Sequence, residues 1–525
     1  MPFLLRNLTL DLGENEALLP AMVGARFSLQ PGEIIRFAIV RKGIDARKKP
    51  RIKLVYTVEF SLADEERFHK AHGGGDLEYV PEKKPALFPR VTGGKRTVIV
   101  GMGPAGLFAA LRLAEYGLTA TMIERGRPVE ERLQDVQSFW DRGLLNPASN
   151  VQFGEGGAGT FSDGKLTTRL KDPHIRYVLE KFVQFGAPED ILTAAKPHIG
   201  TDRLRGVLTA ARAYLVERGF AIGFSRCLSD IVVNNGRLTS IRINDDDELP
   251  CDVLVLAPGH SARDTYAMLH GRQVAMAQKP FAIGLRVEHP QELINRIQYG
   301  MPSHPQLPAA DYALAYNDGQ TGRSAYSFCM CPGGVVVAGA SEEGGVVTNG
   351  MSGYARNSPF ANSALVATVH TGDFGGDHPL AGVEFQRKWE RRAFETGGGG
   401  YRAPAQNLLA FLGQGRGGMV SSSYRPGVTE TDLALVLPKT VHRTLTDGIR
   451  YFERKMRGFI TAEASLTGVE TRTSAPLRIL RGEDMQSATV RGLFPVGEGA
   501  GYAGGIMSAA LDGIRAADSI ARLGA

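Results

Sequence analysis

The sequence predicts an α/β chain: a Rossmann-like domain on a parallel sheet, split by an inserted α+β domain and preceded by a small α+β domain. Two observations place the Rossmann-like parts. From residue 97 the pattern runs strand, glycine turn, helix, strand, and residues 493–523 repeat strand, glycine turn, helix. A third observation marks the small domain. Residues 51–60, RIKLVYTVEF, place Ile52, Leu54, Tyr56, Val58 and Phe60 on one face of a strand. The expected boundaries are 1–90 for the small domain and linker, 91–279 and 461–525 for the Rossmann-like parts, and 280–460 for an inserted substrate domain.

Composition narrows the class. The chain has 525 residues, 43% of them hydrophobic, which allows several domains with large cores. It has no apolar run of about 18 residues, so no membrane span is expected. The first twenty residues lack a long apolar segment and read as the start of a folded strand, not as a secretory signal. Four cysteines make no disulfide framework, and a reducing cytoplasm is the expected compartment. The net charge of +6 is concentrated at the start, where residues 1–96 hold 17 basic and 12 acidic side chains. Arg36, Arg41, Lys42, Arg47, Lys48, Lys49, Arg51 and Lys53 face a single acid, Asp45. This run reads first as a solvated hairpin face, and otherwise as a surface that meets RNA, an acidic protein or an anionic substrate.

In chain order, Leu4–Leu12 and Ile34–Lys42 read as strands around a helix at 15–27. Residues 72–95, with HGGGD and TGGK, read as a linker. Asp172 and Pro173 are placed as N-cap and first residue of a helix that Gly186 ends. Thr201 is placed as the cap of a helix running to Gly219, with Leu204, Val207, Leu208, Ala211 and Leu215 on one stripe. Asn235-Gly236 marks a hairpin, and Asp252–Leu256 a buried strand ending in a glycine turn. Residues 280–460 are mixed and glycine-rich.

Residues 98–124 form a dinucleotide fingerprint. The strand Val98–Val100 leads into Gly101-Met102-Gly103-Pro104-Ala105-Gly106. Gly101 allows the tight turn, Gly103 lets backbone approach a pyrophosphate, and Gly106 lets the helix pack on the strand. The helix then points its free N–H groups at the phosphates. A second strand, Thr119–Ile123, ends in Glu124, where the fold puts a carboxylate on a ribose hydroxyl; that acid disfavours a 2′-phosphate. Arg125 follows as a further candidate contact.

Three later segments favour FAD over NAD. Asn150–Arg169 is dense in glycine and small residues, and offers Gly156, Gly157, Gly159, Thr160, Ser162, Gly164 and the cation Lys165. Ala257-Pro258-Gly259 follows a strand. Gly497-Glu498-Gly499 follows another, with Gly504-Gly505 and a helix from Ile506. Glu498 suits ribityl hydroxyls, and the helix start suits the flavin edge where negative charge develops. No motif demands a covalent link, so FAD is expected to be non-covalent. Only one complete fingerprint exists, so any NAD(P)H is expected to bind transiently.

These motifs, in this order, resemble the glutathione-reductase-type FAD superfamily. KPHIGTDRLR (196–205), SFCMCPGGVVVAGASEEGGVVTNGMS (327–352), NSALV (362–366) and GVETRTSAPLRI (468–479) are similar to an uncharacterised FAD-dependent dehydrogenase family. The resemblance runs along nearly the whole chain. It implies a small ferredoxin-like domain ahead of the flavin domain and a Leu228 backbone facing adenine; it names no substrate. The superfamily acid at the ribityl site is usually Asp, where this chain has Glu498.

The flavin does the hydride chemistry, so catalytic side chains leave little pattern. Arg472 and Arg478, which flank TSAPL, and His198 in KPHIG are the candidates for touching substrate or flavin; Tyr424 and Arg425 are weaker ones. Cys329-Met330-Cys331 reads as structural or substrate-facing in preference to a dithiol centre, because a CxC ring is strained. No HExxH or paired CxxC appears, so no metal is expected. The expected activity is hydride transfer between flavin and an organic small molecule. Modification of an RNA base and FAD-stabilised binding without catalysis are the alternatives.

Overall fold

The computed structural model describes residues 2–72, 74–80, 88–91, 94–415 and 420–524; much of the expected linker, at 81–87 and 92–93, lies outside the described residues. The first eighty residues run strand, helix, two strands, helix, strand. The four strands, Ile34–Asp45, Lys53–Leu62, Phe3–Asp11 and Leu77–Tyr79, lie in that order in one antiparallel sheet. That element order and pairing is the ferredoxin-like arrangement. Strand alternation drives it: Leu54, Tyr56, Val58 and Phe60 are all buried with Phe3, Leu5, Leu10 and Val23.

The second sheet is parallel and has five strands: Leu493–Pro495, Val253–Leu256, Thr97–Val100, Thr121–Glu124 and Ala221–Phe224, in that order. Both central strands are buried end to end, as a sheet covered on two faces requires. The helices Pro104–Glu115 and Ile506–Arg522 pack together on one face. They approach so closely that a Cβ on Gly513 would sit 2.0 Å from the Ala105 carbonyl oxygen. A three-stranded antiparallel meander at 228–250 covers the other side; its turn residues Asn235 and Gly236 have φ of 50° and 71°, the geometry of an Asn-Gly hairpin.

The insertion is a seven-stranded mixed sheet around the long strands Phe281–Pro290 and Phe360–Val369, with the helix Lys439–Lys455 on one face. Its strand Ser465–Glu470 pairs with Phe281–Pro290, so this sheet extends past the expected boundary at 460. The short pair Met276–Gln278 and Leu477–Ile479 carries the chain across in both directions.

Two helix starts differ from expectation. Asp172 closes a turn, its Oδ1 accepting from His174 N at 2.9 Å, and the helix runs Ile175–Gln184. Thr201 is inside its helix with Gly200 as the cap, because the Thr201 hydroxyl donates to the Thr160 carbonyl at 2.5 Å instead.

Candidate functional site

The carboxyl ends of the parallel strands converge on one cleft, the usual ligand position of such sheets. Gly101 has φ +95°, and a Cβ there would lie 2.2 Å from the Ala257 oxygen, so two glycine turns meet back to back. Gly156 N donates to Met102 O at 2.9 Å and joins the 150–169 segment to the first turn.

Most of the candidate contacts line this cleft. Gly101, Gly103, Pro104, Ala105, Glu124, Arg125 and Leu228 do so. So do Gly157, Gly159, Ser162, Gly164, Lys165, Ala257, Pro258 and Gly259, and from the C-terminal motif Gly497, Glu498, Gly504, Gly505 and Ile506. Three others support it from beneath. A Cβ on Gly106 would be 1.9 Å from Gly101 O; one on Gly156 would strike Leu208 and Thr160 at 2.3 Å. The Thr160 hydroxyl donates to Glu155 O at 3.0 Å.

Of the catalytic candidates, only Arg472 lines the cleft. Its guanidinium is held against Glu390 by Nε and Nη2 at 3.1 and 3.0 Å, and Arg263 binds the same carboxylate at 2.7 Å. Burial works against charge on Glu390, but the two guanidinium groups hold its carboxyl well below the usual range. Arg478 lies over the Tyr502 ring at 4.9 Å, and His198 Nε2 is 3.0 Å from Tyr354 O; neither lines the cleft. Tyr424 bonds Tyr401 O, and Arg425 pairs with Asp141, away from the cleft.

The lining fits an extended dinucleotide such as FAD on three counts. First, a Cβ on Gly103 would meet only Gly157 Cα, at 3.8 Å, and Cβ atoms on Gly259, Gly504 and Gly505 would meet nothing within 4 Å. At Gly103 and Gly504 neither packing nor backbone demands glycine, which leaves space in the cleft as the reason; Gly259, with φ +75°, and Gly505, with φ +157°, are glycine for their backbone as well. Second, Glu124 accepts from the N–H groups of Met102, Gly126 and Gly154 at 2.9, 3.0 and 2.9 Å. A carboxylate has about four acceptor sites, so one is left for a ribose hydroxyl. Third, Gly505 caps the Ile506–Arg522 helix with no side-chain partner, leaving N–H groups at its start.

Several lining groups gave little signal in the sequence. His260 follows the Ala257-Pro258-Gly259 turn, its Nε2 3.8 Å from Glu498 Oε2. Burial and then Arg472, Arg263 and Lys279 depress it to about 3, so it is neutral near pH 7. Burial pushes the Glu498 carboxyl up to about 7, Cys329 adding to this and Lys279 opposing it. Asp163 is held at about 2 despite burial, by Lys165 and Arg356. Cys329, Asn349, Glu470 and Thr473 come from the insertion, so its sheet closes one side of the cleft. Among the described residues no group of three or more His, Cys, Asp or Glu side chains is placed to hold a metal, and no helix is long and apolar enough to cross a membrane.

Fold and cleft together define the class: an α/β chain with a Rossmann-like parallel sheet and a glycine-lined cleft at its carboxyl edge. Residues 280–473 match the family described as FAD-dependent protein, C-terminal domain-like, and residues 4–61 match a domain of unknown function, DUF8436. An uncharacterised protein of Clostridium beijerinckii is 46% identical over 99% of this chain and 98% of its own length. The chain belongs to the same family as that protein. Among solved structures, the flavin-dependent brominase Bmp2 is 13% identical over 82% of this chain and 80% of its own, with a TM-score of 0.37. A geranylgeranyl bacteriochlorophyll reductase-like protein from Thermoplasma acidophilum is 13% identical over 82% and 78%, with a TM-score of 0.34.

Proposed function

We propose that this chain is an oxidoreductase that holds one FAD non-covalently and transfers a hydride between it and an organic small molecule. The observation that carries this reading is the glycine-lined cleft, in which Cβ atoms on Gly103 and Gly504 would meet no protein atom nearer than 3.8 Å, so the protein itself leaves that space open. Gly101–Gly106 and Glu124 would hold the ADP half, and Gly497–Ile506 with Glu498 the ribityl and ring half. FAD supplies two-electron chemistry when bound. The protein's part is position, charge and protons. Lys165 and Arg472 favour negative charge in the cleft. Burial works against charge on Lys165, and Asp163 outweighs it, so the ammonium is retained. Glu498, titrating near neutrality beside the neutral His260, is the group best placed to take up or release a proton at working pH.

The electron donor is taken to be a transiently bound NADH or NADPH. Anaerobic mixing of the yellow protein with each nucleotide tests this: bleaching of the flavin absorbance is expected with at least one. Bleaching with neither nucleotide, nor with any organic reductant, would favour a binding protein without catalysis.

RNA as the substrate has one observation in its favour. Arg36, Arg41, Arg47, Lys48, Arg51 and Lys53 are exposed on the N-terminal hairpin. Binding to RNA that falls steeply with salt would support it.

A further inference from the structure

The strand Ser324–Cys331 is irregular at its end. Its pairing with Phe360–Val369 slips between Phe328 and Cys331, and Cys329 has φ +43°, a backbone region that side-chain-bearing residues seldom occupy. The bulge breaks the alternation expected of residues two apart. Cys329 lines the cleft beside Phe328, while Cys331 is fully buried behind it. The Cys331 thiol lies against its neighbour: its Sγ donates to the Cys329 carbonyl oxygen at 3.3 Å.

Two cations serve the same spot. Arg286, fully buried, donates from Nη1 to the Cys329 carbonyl at 3.1 Å. Lys165 lines the cleft with an Nζ that makes no hydrogen bond, its nearest acid being Asp163 at 3.3 Å. The neighbouring Cys331 thiol, opposed by burial and aided by Lys165 and Arg286, pulls the Cys329 thiol down, and the pairing pushes Cys331 up. Cys329 and Glu498 line the same cleft.

We propose that Cys329 and Cys331 are a redox-active dithiol that exchanges two electrons with the FAD held in the same cleft, Cys329 reacting first and Cys331 resolving. The proposal rests on the FAD reading above. In the oxidising direction two S–H bonds break and one S–S bond forms. Two electrons and two protons leave the pair, and oxidised FAD, the named oxidant, takes them up. The low thiol of Cys329 supplies the thiolate, and Cys331 keeps its proton until the second step. A CxC disulfide is a strained ring and therefore easily reduced, which suits a couple that must turn over. The other two cysteines, Cys227 and Cys251, do not line the cleft.

The test uses the full-length holoprotein. It is oxidised with diamide, unfolded, alkylated with iodoacetamide and digested with trypsin. The peptide 324–356, between Arg323 and Arg356, carries Cys329 and Cys331 and no other cysteine. The expected peptide is unalkylated and lighter by two hydrogens, with Cys227 and Cys251 alkylated. In parallel, anaerobic dithionite titration should consume four electrons per FAD in the oxidised wild type. It should consume two in Cys329→Ser and Cys331→Ser, or in the alanine variants if the serine ones do not fold. A peptide alkylated at both cysteines after oxidation, or a wild type that takes two electrons per FAD, overturns the proposal. Disulfide formation in a protein that holds no FAD also overturns the exchange, and marks the failure as that of the FAD reading.

Discussion

A Cβ on Gly103 would touch nothing nearer than 3.8 Å, whereas one on Gly106 would sit 1.9 Å from Gly101 O. The two glycines of one motif therefore answer to different demands. Gly103→Val should fold normally and lose FAD affinity by ~100-fold or more, about 2.7 kcal/mol. Gly106→Val should lose stability on the order of 3 kcal/mol through overpacking, seen as a fall in Tm even without FAD. Near-equal Tm values for the two variants would contradict the distinction. Glu498 gives a pH signature. Its carboxyl is raised to about 7 in the cofactor-free cleft, and ligand hydroxyls would bind the carboxylate, so loading FAD releases a proton. Affinity should rise with pH from about 5 and level off above about 7. Stability of the cofactor-free protein runs the other way: the raised carboxyl favours the fold below its unfolded value of 4.5, and that advantage is lost as pH rises through about 7. Fluorescence titration of FAD at several pH values checks this, and Glu498→Gln should flatten the profile. The sequence showed these glycines and both acids because chain geometry dictates them. It did not show His260 as a site residue, since a lone imidazole carries no periodic pattern, and it left Cys329 open between a structural and a substrate-facing role.

At the scale of elements, the helices Pro104–Glu115 and Ile506–Arg522 form the rigid support of the cleft. Asp512 on the second helix accepts from Gly497 N at 2.8 Å and pairs with Arg481 at 2.7 Å, which fixes the C-terminal glycine turn. Asp518 pairs with Arg112 at 2.5 Å in a nearly closed interior and accepts from the Tyr116 hydroxyl at 2.9 Å. Asp518→Ala leaves a buried guanidinium without its partner, so a loss of about 3–5 kcal/mol is expected in urea unfolding. A change below about 1 kcal/mol would mean that water replaces the carboxylate. Both helices and four of the five parallel strands were legible from apolar runs and glycine turns; the short edge strand Ala221–Phe224 was not. The start of Thr201–Glu217 was misplaced because Thr201 spends its hydroxyl on Thr160, a tertiary contact that no local rule contains.

Across the whole molecule, three sheets divide the work: the parallel sheet presents the glycine turns, the seven-stranded sheet closes the cleft, and the ferredoxin-like domain packs against the insertion away from the cleft. The last is joined to the rest by Ile52, buried in the insertion's core, and by hydrogen bonds such as Lys42 N to Thr193 O at 2.7 Å and Gly13 N to Gln306 Oε1 at 2.5 Å. None of its described side chains lines the cleft. A chain lacking the first 90 residues should therefore keep FAD, as absorbance after gel filtration would show; complete loss of FAD would make the domains one folding unit. The insertion was the least legible part of the sequence. Its sheet is built from strands far apart in the chain, such as Phe281–Pro290 and Ser465–Glu470, and long-range pairing leaves no local mark. The central claim, that the glycine-lined cleft is a non-covalent FAD site, is tested most directly by the flavin content of purified wild-type and Gly103→Val protein. The account predicts yellow wild type with about one FAD per chain, released on denaturation, and a folded but colourless variant. A colourless wild type that takes up no added FAD, or a Gly103→Val protein that retains it fully, would contradict the account.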